Sequence, residues 1–162
     1  MRHRLYLTIA AWLLVLPPPA VHASSQQLVE VDDFSTISQT LAGVSLPLLL
    51  VFTADDCPYC DQLADEILLP MIRSGEYQAR VVIRALNLDG GPVRDFDGQP
   101  IEPWEFAQRY DVTVTPTMVL LDDRGRTLGE SLVGVRSLDF YEAMISKAIE
   151  RAAKRLSLPS TH

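Results

Sequence analysis

The chain of 162 residues has few of the residue types that build common sites: two cysteines, three histidines and two tryptophans. A structural zinc centre takes about four Cys, His or acidic ligands. Two Cys and scattered His do not supply such a set, so no metal and no cofactor is expected. Positive charge is also scarce, with 14 Lys and Arg against 21 Asp and Glu and a formal net charge of −7. That balance excludes nucleic acid as a partner, because phosphate backbones are held by clustered cations. Beyond the first residues no apolar run approaches the ~20 residues that span a bilayer. There is no internal repeat and no low-complexity linker. With 48% hydrophobic and 22% charged residues, the chain has the composition of a folded domain.

The N-terminus reads as an export signal covering residues 1–23. Arg2 and Arg4 form a positive start, Leu5 to Leu16 is mostly apolar, and Pro17, Pro18 and Pro19 break any helix. Val21-His22-Ala23 places small residues where signal peptidase reads, which puts cleavage before Ser24. The apolar stretch is too short for a retained anchor, and no Cys lies nearby to carry a lipid. Removal would take His3 and His22 and leave His162. The pattern looks bacterial, so the periplasm is the expected compartment, a space that permits disulfides. Residues 24–162 are then expected to form one domain.

Along that domain, Asp32 or Asp33 can cap a first helix that runs toward Leu41, with Gly43 as its stop. Leu46 to Thr53 is a short, nearly continuous apolar run, as in a strand buried on both faces. A helix opens at Cys57, carries Leu63, Ala64, Ile67 and Met71 at helical spacing, and should kink or end at Pro70. Ala79 to Leu88 is a second strand, and Gly90 to Pro103 an irregular loop. Trp104 to Tyr110 is a short helix, and Trp104 itself suits either core packing or an exposed rim. Thr117 to Leu121 and Thr127 to Val133 flank a turn at Gly125 and read as a hairpin. A last helix is capped by Ser137. Phe140, Met144, Ala148 and Ala152 share its apolar face, with Ile145 and Ile149 beside them. Arg151, Lys154 and Arg155 sit near its C-terminus, where cations oppose the helix dipole. A strand–helix–strand unit followed by a hairpin and a closing helix predicts an α/β sandwich with a mixed central sheet.

Cys57-Pro58-Tyr59-Cys60 lies between the first strand and its helix. Pro58 disfavours helical geometry at Cys57, so Cys57 becomes the N-cap and Pro58 the first helical residue. A sulfur there faces unpaired N–H groups and the positive end of the helix dipole, both of which favour the nucleophilic thiolate. Cys60, three residues on, shares that face. The expected roles are Cys57 as nucleophile toward a substrate disulfide and Cys60 as the resolving thiol. Competing explanations are a zinc site short of ligands, a structural disulfide closing a tiny loop, and unpaired core cysteines. Asp55, Asp56 and Asp61 surround the motif; they are either solvated surface acids or charges that oppose the thiolate. Val114-Thr115-Pro116-Thr117 precedes a strand. On the residues alone Pro116 is either an ordinary trans proline at a strand start or a cis one.

From about Leu46 to Ala152 the sequence resembles the thioredoxin superfamily, through Cys-Pro-Tyr-Cys, "ALNLD" and "VTVTPT" in order and spacing. The resemblance implies a thioredoxin-like three-layer α/β/α sandwich. It further implies a cis Pro116 beside the sulfurs, a Thr115 backbone that pairs with substrate, and Tyr59 in the binding surface. The segment "RDFDGQPIEPWEFAQRYDVTVTPTMVLLDDRG" is similar to periplasmic thioredoxins of bacterial sulfur-oxidation systems. The Pro-Tyr pair is shared with glutaredoxins, but no Gly-Gly-Cys or Gly-Gly-Asp follows the proline strand, so glutathione binding is not supported. Two departures matter. The buried Asp and Lys that typical cytosolic thioredoxins carry fall at Val51 and Ala85, which leaves proton handling at Cys60 to another route, water among them. The Trp that usually precedes the first Cys is Asp56.

These observations lead to an expected monomeric, periplasmic dithiol–disulfide exchanger, a reductase of protein or small-molecule disulfides. The resemblance supplies a membrane thiol transporter as its electron donor. The alternative is a redox-linked binding or regulatory protein that captures a partner through Cys57 without turnover. Tyr59, Pro92, Trp104 and Pro116 would form an apolar rim for either role.

Overall fold

In the computed structural model the described residues are 27–135 and 138–158. The expected signal segment and the Ser137 cap lie outside them. Four strands form one sheet in the order β2-β1-β5-β6. β1 (Leu48–Thr53) pairs parallel with β2 (Val82–Asn87) and antiparallel with β5 (Thr117–Leu121). β6 (Leu132–Val133) closes one edge antiparallel to β5. At the other edge Glu30 bridges Ala85, with the Val31 N–H donating to the Ala85 carbonyl at 2.9 Å.

Strand alternation divides the core into two layers. Leu48, Leu50 and Phe52 of β1 point to the side covered by α1 (Phe34–Val44) and α4 (Pro103–Gln108), where Phe34 and Phe106 stack with centroids 4.3 Å apart. Leu49 and Val51 point to the other side. They meet Leu63, Ile67 and Met71 of the helix that follows Cys57, and Tyr141, Ile145 and Ile149 of α5 (Leu138–Leu156). β1 is therefore buried on both faces, as its unbroken apolar run requires. Each fully buried Leu or Phe contributes about 1.5–3 kcal/mol. The mixed sheet between two helical layers is the three-layer α/β/α sandwich expected from the sequence.

Several boundaries differ from expectation. Asp33 is the cap of α1: its carboxylate accepts from the Ser35 and Thr36 N–H groups at 2.8 and 3.2 Å. The Ser35 hydroxyl and these bonds hold its carboxyl below the usual carboxylate range. α1 runs past Gly43 and ends at Ser45, whose left-handed backbone lets its N–H reach the Leu41 carbonyl. Pro70 does not end its helix. α2 (Pro58–Leu63) continues through a π-helical turn (Ala64–Leu68) into α3 (Leu69–Ser74), and Gly75 is the stop. The wide turn, with Leu69 N–H reaching back to Ala64, makes room for a ring that would otherwise strike the preceding turn. The supposed loop at 90–103 contains a small hairpin, β3 (Val93–Arg94) with β4 (Pro100–Ile101), turned at Gly98 with φ +82°.

On α5 the buried stripe is Tyr141, Ile145, Ala148, Ile149 and Ala152, while Phe140 is exposed and Met144 partly so. Ala148, Ala152, Ile145 and Ile149 are thus buried as expected, while Tyr141 takes the place expected for Phe140 and Met144. Trp104 is exposed rather than core. The long strand expected at 127–133 is split. Thr127 bridges Leu121, the Leu128 N–H donates to the Leu120 carbonyl, and regular pairing resumes only at Leu132.

Candidate redox site

β1 delivers the chain to Asp55-Asp56, and Asp56 takes a left-handed turn (φ +50°) that points the backbone into α2. Cys57 is the N-cap, with non-helical backbone, and its carbonyl accepts from the N–H groups of Cys60 and Asp61 at 2.9 and 3.2 Å. Pro58 at the first helical position needs no donor there. The helix geometry brings Cys57 and Cys60 into a disulfide, S–S 2.08 Å, with Cα atoms 5.2 Å apart. The two sulfurs are not equivalent in access: Cys57 is half-buried, whereas Cys60 is only 7% exposed.

The segment before β5 reaches the same place from the other side of the sheet. The Thr115–Pro116 peptide bond is cis. The Thr115 hydroxyl lies 3.5 Å from the Cys57 sulfur. Thr117 steadies the turn by donating its hydroxyl to the Val114 carbonyl at 2.7 Å. The Gly134 N–H donates to the Pro116 carbonyl at 2.9 Å, and Tyr141 bonds the Gly134 carbonyl, tying α5 to this turn. Cys57, Cys60, Thr115 and Pro116 are thereby gathered, although Pro116 itself is buried. Tyr59 projects outward, 64% exposed. Val114 and Val133 are exposed around the same turn. Val114 opens the motif read from the sequence, whereas Val133 is brought here only by the pairing of β5 with β6. Pro92 is instead part of a groove with Glu30, Val31 and Leu86.

The charged residues of the loops at 53–61 and 87–92 are all acidic. The Asp89 carboxylate accepts from the Asp55 N–H, and the Asp55 carboxylate accepts from the Asn87 amide, both at 2.8 Å. Val51 of β1 and Ala85 of β2, where the resemblance would put a buried Asp and Lys, are register partners and buried. Cys60 also lines a cleft of about 680 Å³ shared with Glu30, Asp61 and Asp65.

Among known proteins, the Thioredoxin-like domain family matches residues 37–149. No curated protein matches the chain in sequence. One similar solved chain comes from work described as the structural basis of the thiol resolving mechanism in yeast mitochondrial 1-Cys peroxiredoxin via glutathione/thioredoxin systems. It superposes with a TM-score of 0.51 at 19% identity, covering 76% of this chain and 93% of that one, a likeness of fold. With its family match spanning most of the sequence and a paired Cys-x-x-Cys at the mouth of the second helix, this chain belongs to the thioredoxin-like family.

Proposed function

We propose that this protein is a periplasmic thiol–disulfide oxidoreductase that reduces disulfides of proteins or small molecules and works as a monomer. The observation that carries the proposal is the unequal exposure of the paired cysteines, with Cys57 partly exposed beside Thr115 and Cys60 buried. In the reduced protein the Cys57 thiolate attacks a substrate disulfide R–S–S–R′. A Cys57–S–S–R bond forms and R′S⁻ leaves. The Cys60 thiolate then attacks Cys57 Sγ, the protein disulfide forms and RS⁻ leaves. Two substrate thiols are produced and the protein pair is oxidised, so a reductant must restore it. The resemblance to exported thioredoxins supports a membrane thiol transporter in that role. The Thr115 backbone and Tyr59 would hold the substrate chain against Cys57.

Insulin-disulfide reduction with a chemical reductant tests the proposal. Wild type should turn over, Cys57→Ser should abolish turnover, and Cys60→Ser should accumulate a mixed disulfide with its substrate. Capture by Cys60→Ser without any wild-type turnover would favour a binding or regulatory protein instead.

A further inference from the structure

Cys60 must lose a proton before it can displace a substrate from Cys57, because thiolate is the attacking species. This step presupposes the exchange chemistry proposed above. On the sheet, Ala85, which lines the same cleft as Cys60, and its buried register partner Val51 offer no base. Among the described residues the buried polar side chains are Asp95, Thr117 and Asp122, and each is engaged elsewhere. Asp95 pairs with Arg109, Asp122 with Arg126, and Thr117 with the Val114 carbonyl. What does reach Cys60 is the side cleft. It runs between the helix at Ala64 and Asp65 and the N-terminal segment at Leu28 and Glu30, over Ala85. At about 680 Å³ and lined by the exposed carboxylates of Glu30, Asp61 and Asp65, two amides and a hydroxyl, it is roomy and polar enough to hold water.

We propose that Cys60 gives its proton to water in this cleft, not to a buried protein base, and that the segment at 28–30 forms one wall of the route. In the mixed disulfide, Cys60–SH loses its proton to cleft water or hydroxide. The thiolate forms the bond to Cys57 Sγ, the Cys57–substrate S–S bond breaks, and the departing RS⁻ takes a proton from solvent. The protein pair is oxidised and the substrate sulfur reduced.

The test mixes the reduced full chain with 5,5′-dithiobis(2-nitrobenzoate) in a stopped-flow instrument. The first aromatic thiolate released reports attack by Cys57, and the second reports resolution by Cys60. The second rate should rise one log unit per pH unit to a single plateau. That plateau should fall at the Cys60 pKa, measured by thiolate absorbance in Cys57→Ser. Ala64→Leu, which narrows the cleft, should slow the second phase several-fold and leave the first unchanged. In the Cys57→Ser background it should also slow alkylation of Cys60 by iodoacetamide. A second inflection below the Cys60 pKa would overturn the proposal, as would an Ala64→Leu protein that slows neither reaction. If Ala64→Leu does not fold, the wild-type pH profile decides alone. Absence of the first phase would instead remove the exchange chemistry itself.

Discussion

Asp61 lies in the first turn of α2, its N–H bonded to the Cys57 carbonyl, and Asp55 and Asp56 immediately precede the motif. Their charges work against the thiolate that the helix terminus favours. A less acidic Cys57 makes the reduced dithiol less stabilised and the pair less oxidising. The wild-type potential is therefore expected well below the ~−120 mV of a strong dithiol oxidant. Asp61→Asn should make the Cys57 thiol more acidic and raise the potential. Because Asp61 is exposed and screened by solvent, the rise should be roughly 10–20 mV. Equilibration against glutathione redox buffers measures it, and an unchanged or lowered potential would show that these acids do not act on the sulfur. The pairing of the two cysteines, the cap at Cys57 and the acidic surroundings were legible from residue order, since each depends on neighbours within one helical turn. The contact from Thr115 to Cys57 spans 58 positions, and only family resemblance, not local spacing, pointed to it.

The turn joining β5 to the segment at Arg126–Leu128 shows how an element is held by a single missing side chain. Gly125 has φ +74°, and a Cβ there would stand 2.6 Å from the Phe96 ring and 3.1 Å from the Tyr110 hydroxyl. That hydroxyl donates to the Gly125 carbonyl at 3.0 Å, and burial pushes its pKa up to about 12. Asp122 closes the turn by accepting from the Arg124 and Arg126 N–H groups at 2.9 and 2.8 Å. Gly125→Ala should combine left-handed strain with overpacking against an aromatic ring, costing about 2–4 kcal/mol. Urea denaturation should show a lowered midpoint with little change in slope; a loss below about 0.5 kcal/mol, the usual range for an unconstrained surface change, would refute the clash. Sequence reading placed this turn, because Gly between two apolar runs is a local signal. No local signal marks the π-helical turn ahead of Pro70 or the place of Tyr141 on the buried face of α5. Both are settled by packing: the ring needs room inside a helix already anchored by Leu63, Ile67 and Met71, and Tyr141, not Phe140, has a pocket and a carbonyl to reach. The β3–β4 pairing was hidden for a related reason. Two-residue strands carry no periodicity, and their register depends on α1, where Asp33 bridges Arg94.

At the scale of the whole molecule the strand directions sort charge. β1 and β2 run toward Cys57 and β5 runs away from it, so the loops at 53–61, 87–92 and 114–117 meet at one end of the sheet. That end carries Asp55, Asp56, Asp61 and Asp89. Toward the opposite end, Arg80, Arg124, Arg126, Arg151 and Arg155 are interspersed with Asp122, Asp123 and Glu150, Glu150 pairing with Arg80 and Asp122 with Arg126. These three loops hold no Lys or Arg, so the redox end they form is negative, in a chain whose net charge is already −7. An approaching disulfide experiences that field before it touches Cys57. Cystamine, a cationic disulfide, should therefore be reduced with a higher kcat/KM than the anionic dithiodiglycolate. The ratio should shrink as ionic strength rises from about 0.01 to 0.1 M, where the screening length falls from about 30 to about 10 Å. The Asp55→Asn, Asp61→Asn double variant should narrow the ratio at low salt without moving the high-salt value. Equal rates for the two substrates at low salt, or a ratio indifferent to salt, would mean that the acidic end of the sheet does not steer what reaches the disulfide.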